Sequence, residues 1–236
     1  QVLHTVDLAE ETLRINPILS QALDRAQRLL SAGLPLVITG ESGSGKTSFA
    51  KAAARCCFGS DSEFVYIDCA SLQSQRDLDA LLQQSLTGRQ SCLLVDRIDE
   101  MDEMSQNTLL ALLENDRQAG ANGIGIIVIS THDLDHLARE NLMRLDLVHR
   151  LKGGQVALQS LRCVPDLENT ILDLLRIERE AFGKGHLGLD DDSRLVLLHY
   201  HWPGNLRELR NTLRHAVVLA DGKKIGLEHL PDNIVE

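Results

Sequence analysis

The sequence predicts an α/β protein: a mainly parallel sheet covered by helices on both faces, followed by a smaller helical domain. Short segments rich in Val, Ile and Leu alternate with segments whose apolar residues recur at helical spacing, as a sheet buried on both faces requires. Hydrophobic residues make up 43% of the 236 residues while aromatics make up only 3%, so the core is built from Leu, Ile, Val and Ala. After about residue 155 the strand-like segments cease, and helical candidates separated by glycine-containing breaks take over.

Residues 18–30, ILSQALDRAQRLL, read as a helix that Gly33-Leu34-Pro35 ends before the strand LVIT. FVYID (64–68), CLLVD (92–96) and GIIVIST (125–131) read as further strands. DLDALLQQSL and SQNTLLALLEN read as helices, the second capped by Ser105 or a neighbour. In the second half, DLENTILDLLRIEREAF, DDSRLVLLHY and NLRELRNTLRHAVVLA are helical candidates divided by GKGHLG and HWPG. The GIG, GGQ and GKG stretches read as turns or loops, and KKIGLEHLPDNIVE as a short helix and tail. The expected division is a core over 1–160 and a helical domain over 161–236, with the boundary near Leu161.

A formal charge of -10 argues against a general duplex-binding surface, which draws affinity from Lys and Arg on phosphates. No apolar run reaches the roughly 20 residues of a membrane span, and no basic segment precedes an apolar signal core, so a cytoplasmic location without membrane contact is expected. The five cysteines have no paired CxxC spacing and are expected as buried free thiols.

GESGSGKT (40–47) matches the phosphate-loop pattern between a strand, LVIT, and a helix candidate, FAKAAARCC. Its glycines permit tight turns and close backbone approach, and the following helix adds its positive end. Lys46 is expected on the outer phosphates and Thr47 on magnesium, with Asp96 at the end of its strand as the second magnesium-site group. Arg97 comes next, and a guanidinium that stays protonated cannot act as a base toward water. Two readings of the neighbouring Asp99, Glu100, Asp102 and Glu103 stay open: a solvated loop in which one of them pairs with Arg97, or a source of the missing water-positioning group.

Taken in order, GESGSGKT, FVYIDCASL, CLLVDRIDEM, VISTHDL, ARENLMRL and HWPGNLRELRN resemble the central AAA+ domain of bacterial enhancer-binding proteins, the sigma54-dependent transcription activators. The resemblance spans nearly the whole chain. It implies an AAA+ P-loop NTPase core with a small helical lid, binding ATP or ADP with Mg2+ and assembling as a homo-oligomer, a dimer or a ring. It implies that Gly40, Glu41, Ser42, Gly43, Ser44, Gly45, Lys46, Thr47 and Ser48 surround the nucleotide and that Asp96 binds the metal. Arg139 and Arg144 resemble arginine fingers offered to a neighbouring subunit, and Arg207 resembles the lid's sensor arginine. Arg210 and Arg214 extend that basic face, or serve as helix-surface ion-pair partners.

The departures are equally specific. Arg97 stands where the family usually has Glu, and His132 where it has a sensor Asn, so His132 either hydrogen-bonds phosphate or water or is an uninvolved loop residue. The interval QSQRDLDALLQQSLTGRQS lacks the long glycine-rich, phenylalanine-bearing loop that touches sigma54. The expected function is the regulatory domain of a bacterial transcription factor that binds nucleotide with weak or absent hydrolysis. RNA polymerase or another transcription component is a candidate partner, and DNA binding is expected outside this segment. The alternatives are an active ring-forming ATPase and a ligand-sensing or interaction module with a vestigial nucleotide site.

Overall fold

The computed structural model describes residues 17–59, 64–72, 92–119 and 124–235. Within these the chain divides into two compact units, one comprising 17–40 and 46–158, the other 41–45 and 159–235.

The first unit is built on a parallel five-stranded sheet with spatial order β2-β3-β4-β1-β5. Its strands are β1 (Leu36–Thr39), β2 (Phe64–Asp68), β3 (Cys92–Asp96), β4 (Gly125–Ser130) and β5 (Gly154–Ala157). β3 and β4 are buried along their whole length, which their continuous apolar sequences anticipate. One face packs Val37, Leu93, Val95, Ile126 and Val128 against Leu109 and Leu113 of α3 (Glu103–Ala119), Leu134 and Leu137 of α4 (Leu134–Arg139), and Leu147 and Leu151 of α5 (Leu145–Leu151). The other packs Leu36, Ile38, Leu94, Ile127 and Ile129 against Leu23, Ala26 and Leu30 of α1 (Pro17–Ser31) and Phe49, Ala50 and Ala53 of α2 (Lys46–Phe58). The run of small alanines allows the α2 backbone to lie close to the sheet.

The register aligns the strand ends. Thr39 is paired with Ser130, Val95 with Val128, and Asp68 with Asp96. Because all these strands run the same way, the segments that follow them leave from one edge, where ligands of open α/β sheets bind.

In the second unit α6 (Leu167–Ala181), α7 (Asp191–His199) and α8 (Asn205–Leu219) enclose a core of Ile171, Leu175, Leu197, Trp202, Leu209, Leu213 and Val217. Asp166 and Asp190 cap α6 and α7 by accepting from the backbone N–H groups of Asn169 and Ser193. Glu178 is completely buried and accepts from Arg210 Nε and from Arg214 Nε at 2.9 Å, so both arginines brace α8 against α6.

Several expectations change. GGQ is not a loop: Gly154 and Gln155 open β5, because parallel pairing with β1 extends the sheet where composition alone suggests a turn. The second unit is not wholly helical, since β6 (Gly188–Leu189) pairs with β7 (Lys224–Ile225) ahead of the terminal α9 (Asp232–Val235). Of Ser105 and its neighbours, the residue that caps α3 is Asp102, whose carboxylate accepts from Ser105 N at 2.7 Å. All five cysteines are free, but only Cys69 and Cys92 are buried, and burial pushes both thiols up to about 12; Cys56 and Cys163 are exposed. The helix expected over DLDALLQQSL lies outside the described residues. No helix among the described residues is long and apolar enough to cross a membrane.

Truncating Ile127, wholly buried at the centre of the sheet, tests this core. Ile127→Ala is expected to lower stability by roughly 2–5 kcal/mol in urea denaturation. Leu195→Ala, at a side chain that is 54% exposed, is expected to change it by less than about 0.5 kcal/mol.

Candidate functional site

The glycine-rich loop begins where β1 ends. In the sheet unit, Lys46 at the start of α2 is buried, and its ammonium donates to the carbonyl oxygen of Gly40 at 2.7 Å. Thr47 Oγ1 donates to Asp96 Oδ2 at 2.8 Å. Ser48 follows in the same first turn. Thus Gly40, Lys46, Thr47 and Asp96 converge as their spacing in the sequence implies.

The loop's apex, Glu41–Gly45, belongs to the other unit. Gly43 and Gly45 have φ of 76° and 92°, in the region that favours glycine. A side chain at Gly43 has no room, since an added Cβ would lie 2.1 Å from Gly204 O. Ser44 Oγ is buried and has no hydrogen-bond partner among the described residues. Arg207 N donates to Gly43 O at 3.2 Å, and its guanidinium reaches Ser42 Oγ at 3.4 Å.

Asn205 completes this arrangement. It is fully buried at φ 53°, donates through Nδ2 to Ser42 O at 2.9 Å and accepts from Leu161 N at 2.8 Å. Trp202, also left-handed at φ 50°, is buried and donates to Leu197 O at 2.9 Å. Two non-glycine residues with positive φ cost backbone energy, which the packing of Trp202 and the hydrogen bonds of Asn205 offset. This is the physical content of the HWPGN stretch. Glu41 forms a bidentate pair with Arg162, and that hydrogen bond, followed by the one from Asn205, holds its carboxyl below the usual range. Sequence reading missed Arg162 and Asn205 because their partners in the glycine-rich loop, Glu41 and Ser42, lie more than 120 residues away.

The corner after β3 departs furthest from expectation. Arg97 adopts a left-handed backbone (φ 55°, ψ 49°), and its N–H donates to Asp96 Oδ1 at 2.9 Å. Its guanidinium forks onto Asp68, with Nε on Oδ1 at 2.8 Å and Nη2 on Oδ2, while Glu100 stands at 3.6 Å. The main partner of Arg97 therefore comes from the neighbouring strand, not from the acidic cluster. Tyr66, two residues before Asp68 on the same strand face, donates from its hydroxyl to Asp96 Oδ2 at 2.7 Å.

The acids 99–103 are not simply a solvated loop. Asp99 has a side chain only 12% exposed and accepts from Thr131 Oγ1 at 2.7 Å and Ser130 Oγ at 3.3 Å. Burial raises its pKa, but the Thr131 hydroxyl and backbone N–H groups outweigh this and hold the carboxyl below its ordinary value. His132 Nδ1 lies 3.0 Å from Thr131 Oγ1 and 3.5 Å from Asp99 Oδ2. Arg139 donates from Nε to Asp135 O at 3.2 Å. Arg144 forks onto Asp146, with Nε to Oδ1 at 3.0 Å, and also reaches Asn107. Both candidate fingers are thus engaged within their own chain.

The description "ATPase family associated with various cellular activities" matches residues 36–152, and "AAA+ ATPase lid domain" matches 165–236. The chain is an AAA+ domain related to the central ATPase domains of sigma54-dependent bacterial transcriptional regulators. Among its relatives, the acetoin catabolism regulatory protein of Cupriavidus necator is 32% identical over 236 residues, covering 90% of this chain and 35% of the relative. The HTH-type transcriptional regulatory protein TyrR of Salmonella typhimurium is 28% identical over 244 residues, covering 95% of this chain and 47% of the relative. The AAA+ domain therefore spans between about a third and a half of the length of these two relatives. Among solved structures, NtrX from Brucella abortus in complex with ATP superposes with a TM-score of 0.77 at 22% identity, over 93% of this chain and 56% of that one. The RuvB Holliday junction branch migration motor of Thermotoga maritima superposes at 0.61 and 16% identity, over 93% of this chain and 66% of that one. These two likenesses establish the fold.

Asp99 gives a pH test of this edge. Its folded pKa lies below the unfolded value of about 3.9, so the unfolded chain binds the proton more tightly, and stability from Asp99 is present above about pH 4 and lost as pH falls through the folded value. Asp99→Asn is expected to flatten the acid limb of stability, measured by urea denaturation from neutral pH to below about pH 4.

Proposed function

We propose that this AAA+ domain is the regulatory module of a bacterial transcription factor, binding ATP or ADP but hydrolysing ATP weakly or not at all, with nucleotide controlling self-association. The observation that carries the weak-hydrolysis reading is Arg97 immediately after Asp96, its guanidinium committed to Asp68.

Nucleotide binding is supported by the fit of the loop to a polyphosphate. Gly43 and Gly45 supply left-handed turns, Ser44 carries a buried hydroxyl without a partner among the described residues, and Lys46 offers an ammonium. NtrX has been solved with ATP and with ADP, and the same ligands are proposed for this chain. In this reading the loop from Gly40 through Ser48 holds the phosphates and Arg207 reports their presence through α8. Thr47 and Asp96 fit a Mg2+ site, because the threonine hydroxyl keeps a lone pair for the ion while donating its proton to Asp96. When bound, the ion neutralises phosphate charge.

Hydrolysis needs a group that orients or deprotonates water. Arg97 cannot accept a proton, and three of the four nearby acids are engaged, Asp99 with Ser130 and Thr131, Glu100 beside Arg97 and Asp102 at the α3 cap, while Glu103 lies exposed in the first turn of α3. His132 is left to hydrogen-bond the terminal phosphate. Self-association would offer Arg139 and Arg144 to a neighbouring subunit's nucleotide, with Arg144 first leaving Asp146. RNA polymerase or another transcription component is the proposed partner, and DNA contact is assigned to segments outside this one.

Calorimetric titration is expected to show ATP and ADP binding that Lys46→Ala weakens by about tenfold or more, in keeping with the loss of a charge-assisted contact. Phosphate release across a protein concentration series is expected to stay near background. Rapid, Lys46-dependent turnover would contradict the weak-hydrolysis reading, and failure of both nucleotides to bind would remove the whole proposal.

A further inference from the structure

The carboxylate of Asp96 is already occupied by its own chain to an unusual degree. Oδ1 accepts from Arg97 N at 2.9 Å. Oδ2 accepts from Thr47 Oγ1 at 2.8 Å and from Tyr66 Oη at 2.7 Å. A carboxylate oxygen has two lone-pair directions in its plane, so both positions on Oδ2 are filled. The threonine bond is compatible with a cation, since its hydroxyl can face the metal with the other lone pair. The tyrosine bond is different: it takes a position on Oδ2 that would otherwise be open to a cation or its hydration shell.

Tyr66 is held for this task. On the edge strand β2 it shares a face with Asp68, and that face is the one covered by α2, the helix that carries Thr47. Lys51, one turn along α2 from Thr47, sets its ammonium 6.0 Å from the centre of the Tyr66 ring. Tyr66 is 40% exposed, and its phenol is a proton donor at neutral pH that is directed onto Asp96. Beside it, Arg97 brings a fixed positive charge to a corner otherwise lined by Asp68, Asp96 and Glu100.

We propose that Tyr66 is a positioning residue that, together with Arg97, performs at Asp96 part of what a divalent cation would do, so that nucleotide binding by this domain depends only weakly on Mg2+. The hydroxyl satisfies the carboxylate and the guanidinium offsets the local negative charge, and the phosphate loop is organised before any cation arrives. The inference rests on the nucleotide-binding reading above and adds to it a cation dependence set by one side chain.

The test is calorimetric titration of the intact domain with an imido-bridged, non-hydrolysable ATP analogue, in magnesium and in excess EDTA. Wild type, Tyr66→Phe and Lys46→Ala are compared, with thermal melts establishing that each is folded. Wild type is expected to bind in EDTA within about threefold of its affinity in magnesium, while Tyr66→Phe, which leaves Oδ2 without that donor, widens the ratio by about tenfold. A wild-type affinity that collapses in EDTA, or a Tyr66→Phe ratio equal to that of wild type, overturns the role of Tyr66 while leaving nucleotide binding intact. No binding by wild type in either buffer, or binding that Lys46→Ala leaves unchanged, overturns the nucleotide reading and this inference with it.

Discussion

Parallel pairing of β1, β3 and β4 is the constraint from which the site follows. Three strands running the same way, buried on both faces, satisfy their backbone groups only by ladder hydrogen bonds in a fixed register. That register brings Asp96, the last residue of β3, to a common edge with Gly40 and Thr131, which directly follow β1 and β4. The apolar core formed by Leu94, Ile127 and Ile129 with α2 then fixes the helix whose first turn presents Lys46 and Thr47. A polar site thus sits on a scaffold whose stability comes from Leu, Ile, Val and Ala elsewhere.

On that edge the charges are arranged differently from the order expected of the family. Asp68 and Arg97 form a forked pair across adjacent strands, and the partly exposed guanidinium makes its worth geometric more than energetic. It fixes an arginine at the position where an acid would face water, and its left-handed backbone turns the chain so that Arg97 N meets Asp96. Asp99, which sequence position alone offers as a substitute acid, is instead committed to the end of β4. The corner is therefore closed by hydrogen bonds among its own groups, and this closure is what the proposed separation of binding from hydrolysis rests on.

Much of this was legible in the chain. GESGSGKT between LVIT and an alanine-rich helix specified the phosphate loop, and CLLVD placed Asp96 because an uninterrupted apolar run of four marks a buried strand. Period-two alternation in FVYID also put Tyr66 and Asp68 on one face, yet only the pairing of β2 with β3 sets that face beside Asp96 and Arg97. Long-range partners such as Arg162 for Glu41 leave no local trace, and neither does β5, whose GGQ opening has turn composition but is drawn into the sheet by β1. The short β6–β7 pair was hidden for the same reason: two residues per strand carry no periodicity.

In the proposed function, Arg97, held by Asp68, withholds hydrolysis from a site otherwise able to grip ATP. The most direct measurement of this is steady-state phosphate release by the double variant Asp68→Asn, Arg97→Glu, which places an acid after Asp96 and removes the carboxylate of Asp68 that would face it most closely. The account predicts turnover about a hundredfold above the parent domain, the lower end of what a positioned general base contributes, and a smaller gain for Arg97→Glu alone, where the new carboxylate faces Asp68. A folded, nucleotide-binding double variant that releases phosphate no faster than the parent would contradict it.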